Sequence, residues 1–394
     1  MLDRKVLGYL GAAMLTRLLT RLFRVRLAST DAEREAIYRF RYAVFAAELR
    51  RTGIGEDHER RTVRSADDEH PSVHHLYVGT PDDMLGAVRF KVFRPGELTL
   101  DTYDPQQISP DLLPFSDRYT FAHLGRFMIR GDRRGTLVMP AIARATYESM
   151  VQRGVDMSLA TCRPGNLDGY RRMGARPYGT TLLEQPVGHV VAVLSVLSDA
   201  KYMKAMKSPV AHLVGRYFGT GKRPPVDPSP IAHLLADETV PVETEGAKVL
   251  AALSELAREG TQAASATLFS GLSPRAMKLV ADHGVILRFP PGMLLTTEGH
   301  AERELYIVLD GRFEATSGGR VLSTMTRGEV VGDVAFLRES GTRSASVRAA
   351  TAGQVVAIRR KFLDRLRAVD PDAAHRLLLN LARVPAERLA RQGS

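Results

Sequence analysis

The residues best equipped for chemistry lie near the carboxyl end of this 394-residue sequence, in GEVVGDVAFLRESGTRSASVRA, from Gly328 to Ala349. Gly332 lets the backbone approach a ligand closely. The N–H groups of Asp333, Val334 and Ala335 then open a helical turn, whose first donors lack intrahelical acceptors and whose dipole favours an anion. Arg343, followed by Ser344, offers a planar fork that suits a phosphate. Asp333 is an acceptor that could take a ribose hydroxyl. Together these groups are what a sugar phosphate needs. A second candidate cradle is the basic, glycine-bearing stretch RGDRRGT, Arg130 to Thr136, set between a strand and a helix. There too, backbone N–H groups can face a phosphate. No paired His/Cys spacing suggests a metal site and no G-x-S-x-G suggests a serine hydrolase, so the reading requires no metal.

These groups are positioned by elements that the pattern predicts in order. Apolar residues at Leu7, Leu10, Met14, Leu18 and Leu22, flanked by Arg17, Arg21 and Arg24, predict a basic amphipathic helix over 1–27. That helix suits either an anionic membrane surface or packing on its own domain or a partner chain; it is too interrupted to span a bilayer. A second helix is expected over 31–50. Strands follow at 74–79 and 85–93, joined by a Pro81-Asp82-Asp83 turn, with a long loop over 101–118. A strand at 121–129, the basic turn, a helix at 137–153, a strand at 156–162 and a short helix before Gly174 form a βαβα unit. Residues 186–218 read as helix with the apolar run VVAVLSVL, and KRPPVDPSP, 222–230, reads as a semi-rigid linker. A helix near 246–259 leads into a strand-rich module. Two short helices, 361–369 and 372–384, follow, the second closed by Pro385.

The stretch from 268 to 384 resembles the cyclic-nucleotide-binding domain family. It carries PGMLLTTEG, ELYIVLDGRFEA, Gly311 and Gly328, and a cassette of Gly332-Asp333-Val334-Ala335-Phe336-Leu337 with Arg343-Ser344-Ala345-Ser346-Val347. Asp333 stands where the family has Glu, one methylene longer. The resemblance implies a β-roll that binds cAMP or cGMP through Gly332, Asp333, Val334, Ala335, Arg343 and Ser344.

Residues 32–187 resemble the GNAT acyltransferase superfamily. Backbone groups of Gly131, Arg133, Arg134, Gly135 and Thr136 would there hold the phosphates of an acyl-CoA or of an acyl carrier protein's arm. Asn166, Tyr170 and Gly174 parallel the family's N-x-x-x-Y-x-x-x-G, in which the tyrosine protonates the departing thiolate, as a phenol can and a Phe cannot. Arg41-Tyr42-Ala43-Val44-Phe45, Gly86-Ala87-Val88-Arg89 and His123-Leu124-Gly125-Arg126 are similar to runs of the autoinducer-synthase and N-acyl-amino-acid-synthase branch. His123 replaces an acidic residue there. It is either a base toward the attacking amine or a structural strand histidine. Arg41, Arg89 and Arg126 are candidates for binding an acceptor or carrier, and Arg89 and Arg126 could instead pair with Asp67 and Asp68.

Charge and length fit such an organisation. The net charge of +11 sits at the two ends: +5 over 1–30, +6 over 266–394 and zero between them. No broad nucleic-acid-binding face is indicated. The chain as given runs ten residues past Val384, short of the helix-turn-helix that follows such rolls in transcription factors. One cysteine, Cys162, suits a reducing interior and falls on a strand. The fold expected is therefore α+β and multidomain: the N-terminal helix (1–30), a GNAT-like mixed sheet with flanking helices (31–220), a linker with a helix (221–265), a jelly-roll-like β-roll with short helices (266–385) and a tail (386–394). The expected function is a cyclic-nucleotide-regulated N-acyltransferase that moves an acyl group from acyl-CoA or acyl carrier protein to a small amine or amino acid. It would be cytoplasmic or peripheral at the inner membrane face. A protein-lysine acetyltransferase under the same control, or a non-catalytic sensor with a degenerate transferase fold, are the alternatives.

Overall fold

The computed structural model describes residues 23–48, 54–102, 104, 108–134, 136–163, 166–179, 183–185, 188–235, 242–243, 246–258, 268–299, 304–338 and 342–392. They fall into two compact units. The first contains β1 (Val25–Leu27), α1 (Asp31–Arg41), a π-helical turn Tyr42–Glu48, and a small hairpin of β2 (Glu56–Asp57) and β3 (Thr62–Val63). After these come β4 (Val73–Gly79), β5 (Met84–Phe93), β6 (Phe121–Ile129), α2 (Val138–Gln152), β7 (Met157–Cys162), α3 (Leu167–Arg172), β8 (Arg176–Pro177), β9 (Leu183–Gln185), β10 (Gly188–Val196), α4 (Ala200–Ala205) and α5 (Ala211–Tyr217). Leu167 at the start of α3, Glu184 and Gln185 of β9 and the first three residues of β10 group with the second unit.

The main sheet runs β1-β4-β5-β6-β7-β10-β8, with β9 on β10. Along the path from β1 to β8 the ladders are antiparallel except β6 on β7. Both faces of its centre are covered. Leu76, Val78, Val88 and Phe90 pack with Val138, Ile142 and Met150 of α2. Tyr77 and Ala87, pointing the other way, pack with Ala36, Ile37 and Tyr38 of α1. A capping box starts α1: Thr30 Oγ1 accepts from the Glu33 amide, and the Glu33 carboxylate accepts from the Thr30 amide.

Several expectations are corrected. The predicted helix over 1–27 falls mainly outside the described residues, and Val25–Leu27 is a strand paired with β4. The helix expected over 31–50 is α-helical only to Arg41 and then widens into the π-helical turn. Residues 188–196 are a strand, not a helix, between β7 and β8. Val190 to Leu194 are all buried there, and a run buried on both faces shows neither a period of two nor of 3.6. The stretch 222–230 is strapped onto the first unit. Arg223 donates to the carbonyls of Val155 (3.0 Å) and Gly154 (2.8 Å) and pairs with Asp156, and Tyr119 Oη donates to the Asp227 carbonyl at 2.9 Å.

In the second unit, β11 (Val242–Glu243), α6 (Gly246–Arg258) and α7 (Pro274–Ala281) precede β12 (Gly284–Phe289), β13 (Leu294–Thr296), β14 (Glu304–Asp310), β15 (Phe313–Ser317), β16 (Arg320–Met325) and β17 (Val330–Val331). α8 (Asp333–Leu337), β18 (Ser346–Ala349), β19 (Gly353–Arg359), α9 (Arg360–Val369) and α10 (Pro371–Gln392) complete it. The strands form two antiparallel sheets, β11-β12-β19-β14-β17 and β13-β18-β15-β16, a roll of the kind expected. Pro385 does not close the last helix but lies inside α10. Ala373, Ala374, Leu377, Leu381 and Val384 form a buried stripe at three- and four-residue spacing, and that packing outweighs the ~3 kcal/mol cost of an interior proline.

Candidate functional site

In the first unit the parallel pairing of β6 and β7 stops early. Phe121↔Met157, Ala122↔Ser158 and His123↔Leu159 are in register, after which β6 runs on to Ile129 without β7. Beyond the last pair β6 also bulges against β5: Ala87 faces Met128 and Arg89 faces Gly125, so Arg126 and Phe127 together oppose Val88. Arg126 sits at the bulge with φ 53°, in the left-handed region that a non-glycine residue seldom enters. A fork between two strands, with a strained bulge on one arm, exposes backbone that a continuous ladder would consume.

The register brings a charged cluster to this fork. His75 pairs with Arg89, and Lys91 with His123, on the face that α1 covers. Arg41, at the end of α1 and fully buried, donates to Asp68 Oδ2 at 2.5 Å and to His75 Nδ1 at 3.0 Å. His75 Nε2 therefore carries the proton and donates to the Asp68 carbonyl at 3.1 Å. Arg89 Nε donates to Asp68 Oδ1 at 2.9 Å, and its Nη2 pairs with Asp67, which Lys91 also meets at 3.1 Å. Burial opposes the charge of Asp68, yet Arg41, the Ser65 amide and Arg89 hold its carboxyl below the ordinary range. Burial, reinforced by Arg41, lowers His75 to about 4.

Arg126 is different. Its Nη2 donates to the Ile54 carbonyl (3.2 Å) and to Ser65 Oγ (3.1 Å), both neutral. Desolvation, then repulsion from Arg41, lowers its pKa to about 10. With both histidines neutral, three guanidiniums and Lys91 face Asp67 and Asp68 alone among the described residues, two positive charges in excess.

These positions correct part of the expected site. Arg41 has no exposed surface, and Arg89 is 6% exposed and held by two carboxylates, so neither reaches an acceptor or carrier. Of the three arginines, Arg126 is the one that combines partial exposure with neutral partners. His123 is not a base poised near neutrality, because burial and then Arg89 lower it to about 4. The residue is half-buried, but Nε2 is enclosed and has no hydrogen-bond partner among the described residues.

Tyr170, on α3 just after β7, is the phenol expected. Burial first, and then Cys162 beside it, raise its pKa to about 12, so it stays protonated through the neutral range. Asn166 is exposed ahead of α3, its amide donating to the Arg163 carbonyl at 2.8 Å.

The 130–136 turn departs from an open cradle. The amides of Arg133, Arg134 and Thr136 donate within the turn, to the carbonyls of Arg130 (2.9 Å), Gly131 (3.4 Å) and Arg133 (3.3 Å). Gly135 lies outside the described residues. What the turn does present is side-chain charge, from Arg133 and from Arg134, whose terminal nitrogens meet Glu48. Pro140 is the third residue of α2, where its missing N–H costs nothing.

In the second unit Gly332 has φ 87° and caps α8. A Cβ there would stand 1.9 Å from Arg343 Nη1, so only glycine allows the guanidinium to lie against the turn. Arg343 is 3% exposed; its Nη2 donates to the Glu304 carbonyl at 2.8 Å and its guanidinium stacks on Tyr306, 5.2 Å from the ring centre. Asp333 and Ala335 are equally enclosed, Val334 is half-buried and Ser344 is exposed. Phe336 belongs to the apolar cluster of Leu366, Leu377 and Leu381, which ties the turn to α9 and α10.

The fork, the bulge and the partnership of Ile54 and Ser65 with Arg126 have no sequence signature, since each needs the register of three strands. The candidate arginines, His123 and the pairing of Arg89 with Asp67 and Asp68 were visible in the sequence. A mixed-sheet module with a cationic fork, followed by an antiparallel roll with a buried arginine laid against a glycine turn, is the class of protein that these features define. The comparisons give it a particular form. Residues 36–198 match the family model described as N-acyl amino acid synthase FeeM, and residues 286–370 match that of the cyclic nucleotide-binding domain. The chain thus carries a region like the N-acyl amino acid synthases and a cyclic nucleotide-binding domain.

Among curated proteins, it is 31% identical over 103 residues to a cGMP-dependent protein kinase of Toxoplasma gondii (26% of this chain, 10% of the relative). It is also 31% identical over 132 residues to Glutaminase 1 of Bradyrhizobium diazoefficiens (33% and 21%). The matches thus span a tenth and a fifth of those relatives. Among solved structures, a cyclic nucleotide-binding protein from Geobacter metallireducens is 21% identical, with 31% of this chain and 91% of that one covered and a TM-score of 0.29. The Thermus thermophilus Catabolite Activator Protein is 30% identical, with 32% and 60% covered and a TM-score of 0.28.

Proposed function

We propose that this chain is an N-acyltransferase of GNAT-like fold, controlled by cyclic nucleotide, that moves an acyl group from a thioester to the amine of an acceptor bearing a carboxylate. The observation that carries the reading is Arg126: a largely enclosed guanidinium with no carboxylate partner among the described residues, at a strand fork, inside a region similar to N-acyl amino acid synthases. An acceptor carboxylate would complete its charge balance. His123 Nε2, enclosed and unpartnered, would accept a hydrogen bond from the acceptor's amine.

The amine nitrogen attacks the thioester carbonyl, the C–N bond forms and the C–S bond breaks. The nitrogen loses a proton to solvent and the departing thiolate gains one from Tyr170, which its high pKa keeps protonated at rest and which recovers a proton from solvent after the step. Most of the rate then comes from holding amine and carbonyl in line at the fork. Either acyl-CoA or an acyl carrier protein can bring the thioester.

Control by nucleotide follows from the second module. A cAMP or cGMP phosphate that draws Arg343 from the Glu304 carbonyl would move the turn that Phe336 ties to α9 and α10. By linkage, such a ligand alters catalysis only through differential affinity for two states. Among the described residues no cluster of three His, Cys, Asp or Glu could hold a metal, and no helix is long and apolar enough to cross a membrane.

The test is thiol release from acetyl- and palmitoyl-CoA and from acyl carrier protein, with a panel of amino acids and their decarboxylated amines, with and without cAMP and cGMP. Release that depends on an amino acid and changes with nucleotide supports the reading. Absence of turnover from every donor refutes it.

A further inference from the structure

The basic turn already holds an anion, and it is the chain's own. Arg134 Nε donates to the Ile129 carbonyl at the end of β6, 3.1 Å away, which fixes the guanidinium plane. Its two terminal nitrogens then meet both oxygens of Glu48, Nη2 to Oε2 at 2.8 Å. Glu48 is the last residue of the π-helical turn, and its carboxylate lies over Gly131: a Cβ on that glycine would stand 3.5 Å from Oε1. Two parallel N–H···O bonds to a carboxylate have the geometry with which an arginine takes a phosphate. Arg130, by contrast, is spent on Asp132 and Asp83.

We propose that Glu48 is a resident competitor for the donor's phosphate, a residue that sets how tightly the turn holds phosphate-bearing donors. A phosphate can take the fork of Arg134 only after Glu48 has left it, and while Glu48 is near it repels the incoming charge. A helix widened just before Glu48 keeps the carboxylate off the regular α-helical track on which Arg41 and Tyr38 are locked. This rests on the reading above that the turn meets the donor's phosphates.

The experiment uses the full chain with Glu48→Gln and Glu48→Asp, and measures binding of coenzyme A and of inorganic pyrophosphate by calorimetry, beside the KM for acyl-CoA. Loss of one partly screened unit charge near the phosphate predicts tighter binding of both probes by about 3- to 10-fold for Glu48→Gln, with a matching fall in KM. Glu48→Asp, which keeps the charge, should stay near wild type. The gain should shrink as salt rises. Binding by wild type that is unchanged or weakened in Glu48→Gln overturns the competitor role and leaves the transferase reading standing. Failure of wild type and both variants to bind either probe overturns the competitor role together with the reading that the turn meets the donor's phosphates, while the transferase reading itself is decided by thiol release.

Discussion

Replacing Arg126 with Gln separates a binding group from a structural brace. The environment lowers the guanidinium from 12.5 to about 10, so its charge is held at a disadvantage of about 3 kcal/mol in the unliganded fold. Against this stand two hydrogen bonds to neutral acceptors, Ile54 O and Ser65 Oγ, which together contribute roughly 2–3 kcal/mol. The two nearly cancel. Arg126→Gln is therefore expected to keep the stability of the fold within about 1 kcal/mol, or to raise it, as happens where a site residue is kept for function. Arg41→Gln provides the contrast: it strands Asp68 without its closest cation and should cost about 3–5 kcal/mol. For acceptor binding the order reverses. Loss of a charge-assisted contact worth about 3 kcal/mol raises the amino-acid KM about 100-fold. Selectivity over the decarboxylated amine should collapse with it, because that amine never used the guanidinium. Denaturant midpoints and kcat/KM for matched acceptor pairs read both effects. A large loss of stability with an unchanged acceptor KM would show that Arg126 only braces the 54–65 segment, and the proposed acceptor site would fall.

Three further outcomes are expected. Tyr170→Phe should lower kcat by about 100-fold or more with little change in KM, because proton supply to the leaving thiolate is lost while packing is kept; a loss under threefold would remove the phenol from the mechanism. Gly332→Ala would place a methyl against Arg343 in a backbone region with φ 87°, and should abolish binding of fluorescent cAMP or cGMP in calorimetric or anisotropy titrations while sparing basal thiol release. The buried histidines make the fold acid-sensitive. His75 is about 4 in the fold and near 6.5 unfolded, so its contribution, about 3 kcal/mol, is present above pH 6.5 and lost as pH falls toward and through 4. His74 and His123 shift in the same direction, and a denaturant midpoint that stays flat from pH 7 to 4.5 would contradict this.

Much of this protein was fixed by local pattern. Turn glycines, alternating strands and the spacing of Gly332 and Arg343 are short-range features, so the two sheet modules, α1, α2 and the roll could be read without coordinates. The sequence also names Tyr170 as a phenol after a strand, whereas its protonation depends on the burial that the fold imposes. What surrounds each group did depend on the tertiary structure. Whether Val190 to Leu194 is strand or helix turned on burial from both sides, and the fate of Pro385 turned on the packing of α10. Above all, three arginines that look alike in sequence were sorted by long-range register. Asp67 and Asp68 neutralise Arg41 and Arg89, the β6 bulge leaves Arg126 with neutral partners, and Glu48 reaches Arg134 across 86 positions of chain. A sequence specifies which charges exist; only the fold decides which of them meet, and therefore which is left to bind a substrate.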